Sequence, residues 1–187
     1  MINRYKGIDE FLDHLAELFA RYDTKPEIDD RLSNSAHMLQ TAAAAEAAGA
    51  SESLVAASLL HDIGHWLRDD SIDSRSTDDR HESIGARYLA RYFDAEVTRP
   101  IALHVAAKRY LCTREPEYFA TLSSGSVASL ELQGGPMSDS EVARFEANPA
   151  HAQAIALRRW DEYGKNPSLE VAGFDHYRPL LRGIAQA

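Results

Sequence analysis

The run Leu59-Leu60-His61-Asp62-Ile63-Gly64-His65 constrains this chain more than any other stretch. It joins an apolar, helix-like segment to an adjacent imidazole and carboxylate, with a second imidazole four residues beyond the first. Residues four apart share a helix face, whereas neighbours diverge by roughly 100°. His61 and His65 can therefore look into one cavity, while Asp62 reaches a metal ion lying between helices. Further His and Asp residues lie in separate segments, at positions that can converge on the same point.

The remaining pattern supplies helices to surround that stretch. Ile8, Phe11, Leu12, Leu15, Leu18 and Phe19 recur at helical spacing and leave His14 on the solvated side. Arg21 to Arg31 is charged, contains Pro26 and reads as a loop. Ser33 or Ser35 can cap a helix from about His37 through Ala48, where alanines let backbones pack closely and Gly49 stops it. Ser51 caps the helix that ends in His61-Asp62. Residues 68–80 form a polar loop, and the helix after it carries His81, Ile84, Gly85, Tyr88 and Leu89. Pro100 fits the first turn of a helix capped by Thr98 and bearing His104 and Lys108. Pro116 opens a short helix, Ser123 caps another, and Gln133-Gly134-Gly135-Pro136 breaks it. Ser138 and Glu141 make a capping box. Asn148-Pro149 opens the helix bearing Arg158 and Asp161, which Gly164 ends, and a last helix runs near Asp175 to Ile184. No segment alternates like a strand. The expectation is one all-α domain over residues 1–187 with about eight to ten helices. Residues 1–32 would be an N-terminal helix and variable substrate-side loop, and 33–180 a metal-binding helical core.

With 187 residues, 44% of them apolar, one good core is within reach. A formal charge of −9 argues against a nucleic-acid surface, yet a small anion needs only a few local cations. Cys112 is the single cysteine, so no intrachain disulfide can form, and no membrane-length apolar run or signal-peptide core is present. A soluble cytoplasmic protein with no membrane partner is expected; oligomeric state is not legible.

The candidate metal ligands are His37, His61, Asp62, His81, His104 and Asp161. Any one of them alone has a dull explanation as a surface imidazole or a helix cap. Four imidazoles and two carboxylates together in one small acidic domain do not. Mixed nitrogen and oxygen donors without thiolate suit Fe, Mn or Zn rather than Cu(I) or an iron–sulfur cluster. A carboxylate beside a ligand His can bridge two ions: His37, His61, Asp62 and Asp161 would complete one site, and Asp62, His81 and His104 a second. Three or four ligands per ion leave positions open for substrate. Lys108 stands at i+4 from His104 and Arg158 three before Asp161, so two cations lie one turn from metal ligands and can hold a small anion.

The pattern His37 … His61-Asp62 … Asp161 resembles the HD-domain superfamily, and more narrowly the PhnZ-type diiron oxygenases that cleave carbon–phosphorus bonds. The similarity covers about residues 33 to 180. It is carried by Ala36-His37-Met38-Leu39-Gln40 (the family has Glu where this chain has Ala36), Ser58-Leu59-Leu60-His61-Asp62-Ile63-Gly64-His65 and Arg80-His81-Glu82-Ser83-Ile84-Gly85. Its sharpest parts are His104 to Lys108 and Leu132-Gln133-Gly134-Gly135-Pro136-Met137. The resemblance implies an HD-domain helical bundle with a dinuclear site, two iron ions as Fe(II)/Fe(III), and O2 as co-substrate. A 1-hydroxyalkylphosphonate, such as 2-amino-1-hydroxyethylphosphonate or hydroxymethylphosphonate, would be cleaved to a carboxylate and inorganic phosphate. It adds His65, Ser126 and Gln133 to Lys108 and Arg158 as oxygen-binding groups, with Asp62, His65 and Lys108 at the chemistry. Family members acting on the aminoethyl compound carry a gating Tyr ten residues before the first ligand His and an amine-binding Glu seven before it. This chain has Glu27 and Asp30 there, and Tyr22 could gate only if the loop holds an insertion. A substrate other than the aminoethyl compound alone is therefore expected.

Two other classes compete. An HD phosphohydrolase acting on nucleotides or phosphomonoesters needs only His37, His61, Asp62 and Asp161, and leaves His81, His104 and Lys108 to be explained separately. A non-catalytic metal-binding or sensing domain would close every coordination position.

Overall fold

The computed structural model describes residues 5–23, 26–28, 32–67 and 78–186. Its centre is α3 (Glu52–Leu60), in which every residue from Leu54 onward is buried. A helix that is apolar all round belongs inside a protein, and this one carries the chain inward to His61. Ser51 caps it, accepting a hydrogen bond from the Leu54 amide at 3.3 Å. Packed on α3 are α2 (Asn34–Ala47), α6 (Ala95–Arg114), α10 (His151–Tyr163) and α11 (Phe174–Ile184). Because α10 also packs on α6 and α2, those helices form a wall around the end of α3. The short α4 (Gly64–Leu67) follows immediately and packs on α5 (His81–Leu89), which in turn lies on α6. The first helix, α1 (Ile8–Tyr22), turns Phe11, Leu12, Leu15, Leu18 and Phe19 inward, and Phe11 stacks on Tyr92 with centroids 3.8 Å apart. The remaining helices are α7 (Pro116–Phe119), α8 (Ser124–Leu132) and α9 (Asp139–Glu146). A smaller apolar cluster of Ala107, Met137, Val142, Phe145 and Ala154 ties α9 and α10 to α6. The described residues are thus all-α, apart from one pair of very short strands. None of their helices is long and apolar enough to cross a membrane.

Four local expectations need correction. Within Arg21 to Arg31, read as loop, β1 (Pro26–Ile28) pairs antiparallel with β2 (Leu32–Ser33); strands of three and two residues are too short to show alternation. His14 is half-buried rather than solvated, with its ring stacked 5.0 Å from Tyr5. Thr98 is not a cap: α6 begins four residues earlier, where the Asp94 carboxylate accepts from the Glu96 amide at 2.8 Å and the Thr98 hydroxyl donates to the Asp94 carbonyl at 3.0 Å. Pro100 consequently sits inside the helix. It removes a donor to the carbonyl of Glu96, an exposed residue at the helix start where water can replace it. Asn148 and Pro149 precede α10 instead of opening it, since the Asn148 carbonyl accepts from the His151 amide at 3.0 Å as the last turn before the helix. Of the polar stretch 68–80, residues 68–77 lie outside the described residues.

Two glycines set backbone separations that matter for the site. A Cβ on Gly64 would lie 1.9 Å from the carbonyl oxygen of His81, so α4 and the start of α5 touch backbone to backbone. A Cβ on Gly164 would lie 2.6 Å from Thr41 Oγ1 and 3.2 Å from the His37 carbonyl, which presses the end of α10 onto α2. Substituting Gly64→Ala should force α4 from α5 and lower stability by about 1–3 kcal/mol or more, as overpacking does. Gly173→Ala, with nothing within 4 Å of its Cβ, should stay within about 0.5 kcal/mol of the parent. Urea denaturation midpoints of the two variants check the difference.

Candidate metal centre

Five elements deliver the charged and aromatic groups to one place. His37 comes from the first turns of α2, which Ser33 caps by accepting from the Ala36 amide at 3.0 Å. His61 and Asp62 occupy the turn between α3 and α4, His81 is the first residue of α5, His104 lies mid-α6 and Asp161 lies near the end of α10. All four imidazoles are buried, as is Asp161, and Asp62 is half-buried.

Asp62 divides the group in two. Its Oδ2 lies 3.4 Å from His61 Nε2 and 3.8 Å from His37 Nε2. Asp161 Oδ1 closes that side, 3.3 Å from His37 Nε2 and 4.0 Å from His61 Nε2. The other oxygen, Oδ1, lies 3.5 Å from both His81 Nε2 and His104 Nε2. The six residues therefore lie together, His37, His61 and Asp161 on one side of Asp62 and His81 and His104 on the other.

The outer ring nitrogens decide the tautomers. His37 Nδ1 donates to the Gly164 carbonyl at 2.8 Å, His61 Nδ1 to Ser58 at 2.9 Å and His104 Nδ1 to Ile101 at 2.8 Å. His81 Nδ1 donates to Asp79 Oδ1 at 2.8 Å. These partners can only accept, so each ring carries a proton on Nδ1 and turns Nε2 inward, the nitrogen left bare wherever the ring is neutral. Burial, reinforced at His81 by the neighbouring His65, lowers His61 to about 4 and His81 to about 3, so both are neutral near pH 7. Burial opposes charge on Asp62 and Asp161. The imidazoles, His61 foremost, nevertheless hold Asp62 well below the usual carboxylate range, and Arg158 followed by Lys165 does the same for Asp161.

Two observations test whether cations fit. His81 Nε2 and His104 Nε2 face each other at 3.2 Å, and ligands about 2.1 Å from a common ion at right angles stand about 3 Å apart. His61 Nε2 is buried with no hydrogen-bond partner, a costly state that a metal–nitrogen bond would relieve. The donor set fits two borderline ions sharing Asp62, and both triads His37–His61–Asp62 and Asp62–His81–His104 have ligand atoms within 4.8 Å of one another.

Beside Asp161 lies a cluster of three cationic side chains, Lys108, Arg158 and Lys165. Lys108 Nζ donates to Ser129 Oγ at 2.6 Å, and burial followed by repulsion from Arg158 lowers its amine to about 7. Arg158 is more committed than its spacing implied: it donates from Nε to the Tyr118 hydroxyl at 2.7 Å, from Nη1 to Asp161, and from Nη2 to Glu162 and, at 3.2 Å, to Ser126 Oγ. Lys165, which sequence reasoning missed, donates to Ser126 Oγ at 2.7 Å and to Glu162 Oε2 at 2.8 Å. Glu162 was missed too, although the Arg158–Glu162 and Asp161–Lys165 spacings of four were the available signal. Gln133 Oε1 is a buried acceptor without a partner among the described residues. The turn after Gln133 is held by Arg109, whose Nε donates to the Gly135 carbonyl at 2.7 Å. His65 donates from Nδ1 to Asp79 Oδ2 at 2.9 Å. Tyr22 lies flat on Trp66, centroids 4.9 Å apart. Asp30 falls outside the described residues, and of Glu27 only its place in β1 is described.

Comparison with known proteins agrees with this geometry. The family model for the HD domain matches residues 34–164, which contain all six convergent residues. A 1-hydroxy-2-(trimethylamino)ethylphosphonate dioxygenase (glycine-betaine-forming) of Leisingera caerulea is 41% identical over 91% of this chain and 88% of its own. A hydroxymethylphosphonate dioxygenase of Gimesia maris is 45% identical over 80% of this chain and 76% of its own. An uncharacterized protein of Acanthamoeba polyphaga mimivirus is 32% identical over 96% and 84%.

The histidines give the metal-free protein a defined pH response. His61 and His81 titrate from 6.5 in the unfolded chain down to about 4 and about 3 in the folded one, so the unfolded state binds more protons in between. Stability therefore falls as pH drops from about 6.5 through about 3. Melting temperatures of chelator-treated protein measured across this range should decline steadily, and a flat profile would contradict the assignment of neutral buried imidazoles.

Proposed function

The chain belongs to the HD-domain family, and from that membership and its dioxygenase relatives we propose that it cleaves the carbon–phosphorus bond of a 1-hydroxyphosphonate with O2, through a pair of iron ions. The observation that carries the reading is the division of Asp62, one oxygen toward His37 and His61 and the other toward His81 and His104. His37, His61, Asp161 and Asp62 would hold one ion, and Asp62, His81 and His104 the other. The iron pair, when bound, supplies the one-electron steps that O2 chemistry requires. A one-ion phosphohydrolase would leave the second imidazole pair without a task.

The protein's own part is placement. Six ligands shared between two ions would leave each of them open to substrate oxygens. Lys108, Arg158 and Ser126 stand next to Asp161 as the groups that receive the remaining phosphonate oxygens, with Gln133 and His65 as further polar contacts. A phosphonate dianion beside Lys108 favours its charged form, offsetting the burial that lowers this amine. Because the amine starts near neutral, arrival of the anion and protonation of Lys108 are coupled. Arg158 contributes chiefly by fixing Asp161, since most of its donors are engaged. Buried imidazoles and the apolar α3 limit water around the reacting carbon.

On hydroxymethylphosphonate the balance is substrate plus O2 giving formate, inorganic phosphate and a proton. The two named relatives act on compounds sharing the 1-hydroxyphosphonate head and differing beyond it, so the head is what we assign to this site. We assign the choice among the tails to Asp30 and Glu27, and the aminoethyl compound is not expected to be strongly preferred.

Iron-loaded protein supplied with hydroxymethylphosphonate, the aminoethyl compound and the trimethylamino analogue should release phosphate, followed by phosphorus NMR, with one O2 consumed per phosphate. Phosphate release from nucleotides without O2, and none from these compounds in air, would sink the proposal. Asp62→Ala should lose both ions, whereas Lys108→Met should keep the ions and raise KM by about 10–100-fold, as losing a charge-assisted contact does.

A further inference from the structure

We propose that Asp79 is a positioning residue that fixes His81 and His65 as one unit, so that the second ion depends on it and the first does not. The inference rests on the two-ion reading above and deepens it, because Asp79 belongs to neither ligand set.

Its carboxylate is shared between two rings. Oδ1 lies 2.8 Å from His81 Nδ1 and Oδ2 lies 2.9 Å from His65 Nδ1. The side chain is only 5% exposed, so water competes little for these oxygens. The two imidazoles stack with centroids 3.9 Å apart and planes at 18°, and His81 cannot turn without displacing His65. An ionised carboxylate accepts and never donates, so it requires N–H on both facing nitrogens. That requirement is what leaves His81 Nε2 bare toward Asp62 and His104.

The backbone is shaped for this contact. Arg80, between Asp79 and His81, is left-handed at φ 49 and ψ 36, the only non-glycine residue with positive φ among those described. The turn folds Asp79 back over its own second neighbour, bringing Oδ1 to 3.3 Å from the His81 amide as well. A bulky residue rarely holds that conformation unless its surroundings impose it.

The contrast with the other three imidazoles makes the role specific. His37, His61 and His104 are oriented by the main-chain carbonyls of Gly164, Ser58 and Ile101, which no substitution removes. His81 is the one of the four imidazoles held by a side chain. Replacing Asp79 therefore strikes a single ligand of the second ion. It leaves His37, His61, Asp62 and Asp161 as they were, and it also releases His65.

Metal-free protein titrated with Fe(II) under anaerobic conditions, followed by calorimetry, tests this. The wild type should bind two ions per chain. Asp79→Ala should bind the first with unchanged affinity and the second about 10–100-fold more weakly, the usual effect of losing a carboxylate behind a ligand His. Two ions bound with wild-type affinity by Asp79→Ala, or equal weakening at both positions, would overturn the inference alone. A wild type that binds one ion or none would overturn the two-ion reading and this inference with it. Should the variant fold poorly, long-range proton–nitrogen correlation spectra of the metal-free wild type decide. His65 and His81 are expected with their protons on Nδ1, and a proton on His81 Nε2 would refute the role.

Discussion

A carboxylate surrounded by four imidazole nitrogens cannot be left to itself. Asp62 is ionised, His61 and His81 beside it are neutral, and the Nε2 atoms of all four rings point at its oxygens or at one another. The cluster gathers nitrogen and oxygen donors that a cation entering it would satisfy together. The rest of the fold is arranged to hold it in this state. Three main-chain carbonyls and one aspartate pin the outer nitrogens, two glycines bring the contributing helices to backbone contact, and the apolar α3 denies the group water. The energy of packing thus keeps in place a group of side chains that would not assemble unaided, and cations then bind without reorganising it.

The cationic side of the site follows the same logic with opposite sign. Lys108, Arg158 and Lys165 gather within reach of Ser126, and Glu162 and Asp161 keep them from repelling one another apart. Tyr118, whose hydroxyl burial pushes up to about 12, stays a neutral acceptor for Arg158. Ser123, the cap of α8, gives its amide to Glu162 Oε1 at 2.9 Å, which locks that helix to α10. Architecture and electrostatics meet there in one side chain.

The fold class was legible because periodicity is a local property, and among the described residues eleven helices appear, most of them where the apolar spacing placed one. The six convergent residues were legible because His beside Asp is rare enough to weigh and the family pattern names the others. Glu162 and Lys165 escaped notice although they sit at helical spacings from Arg158 and Asp161, since charges four apart on a helix are ordinarily solvated. Asp79 was invisible for a different reason. It lies in a run rich in Ser, Asp and Arg that reads as solvent-facing loop, and nothing in its neighbours announces the left-handed turn at Arg80 that redirects it. The start of α6 was misjudged because proline marks helix starts only on average, and an aspartate cap four residues earlier took precedence.

Arg158 stands in two circles at once. It is the counterion of Asp161, which faces the imidazole cluster, and it borders the cluster of Ser126 and Lys108. Any guest anion that draws on this guanidinium must relax its grip on Asp161, and a carboxylate less neutralised by arginine is a stronger donor to whatever it faces on the other side. Linkage then runs both ways: what binds among the imidazoles alters how firmly an anion is held, and the anion alters the electron richness of the imidazole side. Two occupants that share one guanidinium cannot be strangers to each other.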